Sequence, residues 1–512
     1  MRGIAPFASQ RPRSSPSLIY ALFLLVIAAP ASAQSVQLFW DPPANNPNVS
    51  YRVEGGTASG AYASSYPVGV GVTAFRVTGL VAGTRYYFVV RAIDSSGAVS
   101  SPSNEISAVA VADSVEPPPA GGTEQPPIVT PAPAPEPEPT PAPELPPAPT
   151  TVLIGSEAEL QAAVAALRPN TILVLAPGSY QLTRPLTVAG GLQDVELRSS
   201  TGRAADVILV GPPATETDAQ PAAIVASNVT RLSLTGLTVQ NSSGYAVVLG
   251  TGVQQPSLRG LRIVNAGQFV LSTLHADGTG AAGGLVEACS FEYAGLGRNM
   301  PTGVDIRGGG QWIIRGNRFL DVAPKERVLF GPSLAVWQGS SGTLVERNVF
   351  INTTREIVLG LDDRTPNQHT GGVVRNNMIV RLAGTGPRGA AISVLDSPGT
   401  VVVHNTALLS GTSSVVIDLA HPDTQNAYIA NNLADAPVTG RDAASAIVDA
   451  NLSTATATMF VAPAEGDLRL RGEAGRAAID QGVFTPYADV DIEGQSRPAG
   501  LASDIGADEL QP

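Results

Sequence analysis

IIRGNRF (313–319), LVERNVF (344–350), VVRNNMI (373–379), VVVHNTA (401–407) and IANNLAD (429–435) repeat one pattern, and that repeat sets the architecture of the chain. Each copy places an asparagine between two short apolar strands, and Asn317, Asn348, Asn377, Asn405 and Asn432 follow one another at spacings of 31, 29, 28 and 27. A repeat of this length is one coil of a solenoid, with the asparagine in a tight bend between two sheets. Stacking the coils one strand spacing apart, about 4.8 Å, lets each amide donate to the next in a ladder. The asparagines therefore read as structure, not as ligand contacts.

Before these copies, looser coils around VELRSS, LSLTGLTVQN, YAVVLG and GLVEACSFEY bring the total to about ten, a stack about 50 Å tall. Ahead of them, GSEAELQAAVAALRPN carries Ser156 and Glu159 at capping-box spacing and an amphipathic run ending before Pro169. That predicts a short helix covering the first coil, whose open edge otherwise invites pairing with another chain. The single Cys289 forms no internal disulfide and reads as a small buried residue.

The helix followed by TILVLAPGSY, the repeats, and the closing AAIDQGVFTPYADVDIEGQSRPAGLASDIGADE resemble bacterial right-handed parallel β-helix proteins of the pectate-lyase-like kind, over residues 151–512. The resemblance implies a polysaccharide partner. Short alternating strands from Ser35 to about Val111, with LFWDPP, LVAGTRYYFVVRAID and SPSNEISA, resemble a fibronectin type III domain. That family's pattern puts Trp40 and Leu80 in the core and Tyr86 at the corner of a sandwich. The fold class expected is all-β: a fibronectin type III sandwich (34–112), a Pro-rich linker (113–150) and the right-handed parallel β-helix (151–512).

Residues 116–149 hold 15 prolines, too many for a core, and favour extended polyproline II. Residues 1–33 read as a signal peptide: Arg2, Arg11 and Arg13, an apolar run from Leu18 to Ala29, and the small-residue site Ala31-Ser32-Ala33. A secreted or cell-envelope location follows, with Gln34 as the new N-terminus and no transmembrane segment thereafter. Removal of those arginines takes the net charge from −12 to about −15, which excludes nucleic acid as the expected partner. Nothing in the sequence speaks to oligomeric state.

One strand of each coil, TGVDIRG, SLAVWQG, EIVLGLDD, AAISVLD and SVVIDLA, stacks into a candidate face. Alternation sends Val304, Ile306, Leu334, Val336, Ile357, Leu359 and Leu361 inward. Asp305, Arg307, Trp337, Glu356, Asp362, Ser393 and Asp418 then point outward, walled by the turns APKERVLFGP and DDRTPNQHTGG. Aromatic faces stack on sugar rings and charged groups hold hydroxyls and carboxylates, so Asp305, Trp337, Glu356, Asp362 and Arg364 are candidate substrate-binding residues. A lyase or epimerase acting on a uronic-acid polymer needs a cation against the carboxylate and a base for the C5 proton. Arg307, Lys325 and His369 are the catalytic candidates.

Ca²⁺ is the candidate cofactor, held by Asp305, Glu356 and Asp362, or by Asp489, Asp491 and Glu493 near the C-terminus, although acids there also suit turns. GLDDR with His369 faintly resembles polygalacturonase-like solenoids, but their further aspartate motif, Gly-His-Gly and basic tripeptide are not found. The other expectation is a non-catalytic cell-surface or adhesive solenoid. Convergence of Asp305, Arg307, Trp337, Glu356 and Asp362 in one groove favours an enzyme; dispersal or burial in salt bridges favours the adhesive form.

Overall fold

The computed structural model describes residues 22–25, 34–40, 50–68, 74–80, 84–93, 99–103, 105–109, 148–215, 221–273, 280–294, 302–323, 331–361, 368–382 and 388–511. The chain divides into Met1–Ala142 and Pro143–Pro512. The proline-rich linker lies almost entirely outside the described residues.

In the first unit, period-two strands make two antiparallel sheets. One holds Leu22–Leu25, Gln34–Trp40 and Ala74–Leu80; the other runs Ser64–Val68, Ser50–Gly56, Arg85–Ile93, Ile106–Val109. Their inward residues, among them Val36, Leu38, Tyr51, Val53, Val77, Phe88 and Val90, form one core, with Leu80 and Tyr86 partly buried against it. This is the expected fibronectin type III sandwich. Leu22–Leu25, inside the expected leader, pairs antiparallel with Gln37–Trp40. Gln34–Trp40 also pairs with Ala74–Leu80, a pairing that does not involve the expected leader.

The second unit is a right-handed parallel β-helix of three sheets, and every pairing between its coils is parallel. Sheet A has ten strands, from Gly178–Gln181 to Leu433–Ala434. Sheet B runs through Val247–Leu249, Phe269–Ser272, Thr302–Arg307, Leu334–Trp337, Ile357–Leu359, Ile392–Leu395 and Ile417–Ala420. Sheet C runs through Ser257–Arg259, Leu285–Glu287, Ile313–Arg315, Leu344–Glu346, Val373–Arg375, Val401–Val403 and Ala427–Ala430. Helix Glu157–Ala165 buries Leu160 and Val164 on the first coil. Ser156 Oγ accepts the Glu159 N–H at 3.3 Å, and Glu159 reaches back to the N–H of Gly155 at 2.7 Å.

Sheets C and A meet at the asparagine bend. The residue before each asparagine takes a left-handed conformation, Gly316, Arg347, Asn376, His404 and Asn431 having φ between 52° and 64°. That turn aims the next side chain inward. Each ladder asparagine donates its backbone N–H and its Nδ2 to the Oδ1 one coil on: 3.0 and 2.9 Å for Asn317 to Asn348, 3.1 and 2.9 Å for Asn377 to Asn405. The ladder continues past Asn432 to Asn451 and begins at Cys289, whose N–H donates to Asn317 Oδ1 at 2.9 Å. Cys289 is buried in the ladder column itself, and burial pushes its thiol up to about 12, so it is inert. Earlier still, Leu237 and Leu261 fill the same position. Beside the ladder Phe319 stacks on Phe350 with centroids 4.5 Å apart and meets Phe291 at a 41° tilt, 4.8 Å away.

On the outer side of sheet C, one column reads Arg259, Glu287, Arg315, Glu346, Arg375. Arg259 and Arg315 both pair with Glu287, and Arg375 pairs with Glu346 at 2.8 Å. The C-terminal segment packs outside the later coils: Phe460, Leu468, Leu470 and Ile505 lie on Ile351, Met378, Val380 and Leu408 of sheet A. Tyr487 and Ala488 lie on Val401 and Val403 of sheet C.

Candidate functional site

The candidate face is the outer side of sheet B. Ser272, Asp305 and Ala335 share one register position on successive coils, and Arg307 stands beside Trp337. Val304, Ile306, Leu334, Val336, Ile357 and Leu359 point into the core as alternation requires. Asp305, Arg307 and Trp337 come together. The Asp305 carboxylate accepts the Trp337 indole N–H on Oδ1 at 2.8 Å, and on Oδ2 it accepts Arg307 Nε at 2.7 Å and Ser272 Oγ at 3.1 Å. Arg307 therefore lies along the sheet, flanked by the Phe269 ring of the coil before, 5.7 Å from its centroid, and the Trp337 ring of the coil after, at 4.9 Å. Tyr245, one coil earlier, stacks on Phe269 at 5.3 Å and 5°.

Tyr245, Phe269, Arg307 and Trp337 thus form a ladder over four successive coils. Sequence reasoning missed its first two members. The nearly parallel Tyr245 and Phe269 rings turn a face toward each other, so their inner faces are used up by stacking. Beyond Trp337 the next stacked position is Gly360, which has φ 78° and sits where a Cβ meets the Leu395 carbonyl oxygen at 1.7 Å. No side chain projects from that position over the indole. The Arg307 Nη atoms make no hydrogen bond among the described residues.

Other expected site residues lie elsewhere. Glu356 is a correction: it precedes its strand, is fully buried, and pairs with Arg381 at 2.5 Å with both side chains wholly inside. It also accepts from Thr353 Oγ1 at 2.8 Å, which ties the turn between sheets A and B. His369 is a second correction. Rather than walling the groove, it forms a short strand paired with Ser340–Ser341 inside the coil stack, with Nδ1 2.9 Å from Ser397 Oγ. Burial depresses it to about 3, so it is neutral and enclosed away from solvent. Leu361 points outward, against Val358, Leu395 and Ala420, because Gly360 ends the alternation. Ser393 is buried, and Asp418 pairs with Arg441 at 3.2 Å. Lys325, Asp362 and Arg364 lie outside the described residues.

Calcium needs several free carboxylate oxygens. Asp305 has both oxygens engaged and Glu356 is paired to Arg381, so those two do not fit a calcium cage. At the C-terminus Asp491, Glu493 and Asp508 bring oxygens within 4.8 Å of one another. Asp491 already accepts the N–H groups of Glu493, Gln495 and Glu509, as a turn-forming acid does. Burial, opposed by the Leu470 N–H and reinforced by the neighbouring carboxylates, raises Asp508 to about 6. Asp489 instead faces Arg375 at 3.5 Å.

The fibronectin type III domain family matches residues 24–109. None of the curated proteins matches the sequence. Among solved structures the chain is similar to an alginate lyase from Paenibacillus sp. str. FPU-7, 16% identical over 59% of this chain and 95% of that one, with a TM-score of 0.41. It is also similar to the A-module of a mannuronan C-5 epimerase from Azotobacter vinelandii, 13% identical over 58% and 89%, TM-score 0.36. A Fn3-like protein from Clostridium thermocellum is 26% identical over 18% of this chain and 92% of that one, TM-score 0.15. The chain thus combines a fibronectin type III domain with a parallel β-helix.

Proposed function

We propose that this is an exported polysaccharide-binding solenoid that holds an extended uronic-acid polymer on the outer face of sheet B. The carrying observation is the Tyr245–Phe269–Arg307–Trp337 ladder anchored on Asp305. It offers one indole side with no side chain above it from Gly360, for a sugar ring, and a guanidinium edge for a carboxylate. Asp305 saturated by donors and His369 without solvent access supply no proton acceptor. With Glu356 also locked in a salt bridge, the balance moves toward the non-catalytic surface or adhesive role.

A lyase or epimerase activity would draw its base from Lys325 or Arg364. The test is titration of the exported protein with uronic-acid polymers, with and without Ca²⁺, while following absorbance of an unsaturated product. Binding without turnover is the expected result, and a steady rise in absorbance would replace it with the lyase reading. Trp337→Ala is expected to weaken binding by roughly 30-fold, about 2 kcal/mol, with a smaller fall in the melting transition because the buried Asp305 carboxylate loses one of its three donors. Export rests on the leader-like residues 1–33; N-terminal sequencing of secreted protein is expected to begin at Gln34, and a start at Met1 would count against it.

A further inference from the structure

We infer that Asp305 is a positioning residue, which fixes Arg307 and Trp337 in their ligand-receiving arrangement without itself meeting the polymer. This deepens the binding reading above and rests on it. Asp305 is only 3% exposed and has a donor on each side: the indole N–H on one oxygen, the guanidinium Nε and the Ser272 hydroxyl on the other. Ser272 is fully buried beneath it, in register one coil earlier. A carboxylate suits this place because it only accepts, and all three partners donate. An amide would turn its NH₂ toward one of those donors. Arginine and tryptophan are long side chains whose ordering opposes binding, so a fixed acceptor that orders both beforehand raises affinity. Using Nε alone for Asp305, with rings flanking the plane, leaves the Nη edge as the route for an incoming group.

The sign of one substitution separates this role from a general charge effect. Asp305→Asn removes a negative charge beside the face, and electrostatics alone would then strengthen the hold on a polyanion. Loss of positioning weakens it. With the full chain, calorimetric titration of sodium alginate and sodium polygalacturonate is expected to show binding by the unaltered protein and roughly tenfold weaker binding by Asp305→Asn. In parallel, the Trp337 indole N–H resonance, assigned by its loss in Trp337→Phe, is expected to shift and exchange faster in Asp305→Asn. Equal or tighter binding by Asp305→Asn, or an unmoved indole resonance, overturns the inference. If the unaltered protein binds neither polymer, the binding reading fails, while a resonance that still depends on Asp305 upholds the positioning contact. Should Asp305→Asn not fold, Ser272→Ala removes one of the three donors, and a binding loss of about threefold is expected; no loss overturns the proposal.

Discussion

An Arg381→Ala substitution is expected to lower the unfolding free energy of the β-helix by about 3–5 kcal/mol, read as a fall in the denaturation midpoint of the full chain. Glu356 loses the bidentate partner that holds it at 2.5 and 3.0 Å and keeps, among the described residues, the Thr353 hydroxyl at 2.8 Å. A wholly buried carboxylate without its cation must take a proton or admit water, and both cost stability. Arg381 also donates to the Gly389 carbonyl at 2.8 Å, so the following turn loses a bond as well. Replacing both members by apolar residues, Arg381→Met with Glu356→Leu, is expected to recover most of the loss, because the pair itself contributes little beyond its mutual satisfaction. A single variant that melts within about 1 kcal/mol of the parent would mean the pair is hydrated in solution.

Asn377→Ala is expected to cost about 3 kcal/mol by the same measurement. Its Oδ1 accepts both the backbone N–H and the amide of Asn348 at 3.0 Å, and its Nδ2 serves the carbonyls of Val345 and Arg375 and the Oδ1 of Asn405. Truncation orphans groups on two coils at once. Asn317→Ala, at the start of the ladder, strands the Cys289 N–H but no side-chain amide on that side, and is expected to cost less. Equal losses at the two positions would show that the ladder's value lies in filling the bend rather than in its hydrogen bonds.

The solenoid was legible because its period is carried by one residue type. Asn317 to Asn432 repeat visibly, whereas Leu237, Leu261 and Cys289 occupy the same column and share no chemistry with it. The left-handed bend residue is similarly plain when it is Gly260 or Gly316 and hidden when it is Arg347 or His404, where the stacked coils hold a side chain in a conformation it would not choose alone. Alternation named the core side of sheet B correctly through Leu359 and failed at Leu361, since Gly360 turns the chain.

On the face itself, Asp305, Arg307 and Trp337 could be grouped because one strand and its neighbour carry them. Glu356 and His369 could not, because Glu356 precedes its strand and His369 lies in a strand of two residues, too short for alternation to say which way either faces. Phe269 opens its strand, and Tyr245 lies two residues before Val247–Leu249 in the coil before. The alignment carried back from Thr302 puts them at the parity of Val247, Leu271 and Val304, which alternation assigns to the core, so period two alone would have turned both rings inward.

The column Arg259, Glu287, Arg315, Glu346, Arg375 has a further implication for how coils find their neighbours. Alternating signs work as a parity check. A strand docked one coil out of place meets its own sign, and the error is penalised at every position of the column. A displacement of two coils passes the same check, because the signs again match. Guarding against that slip falls to coil length, which differs in the later steps of the column, 31 residues from Arg315 to Glu346 and 29 on to Arg375, whereas the two earlier steps are both 28.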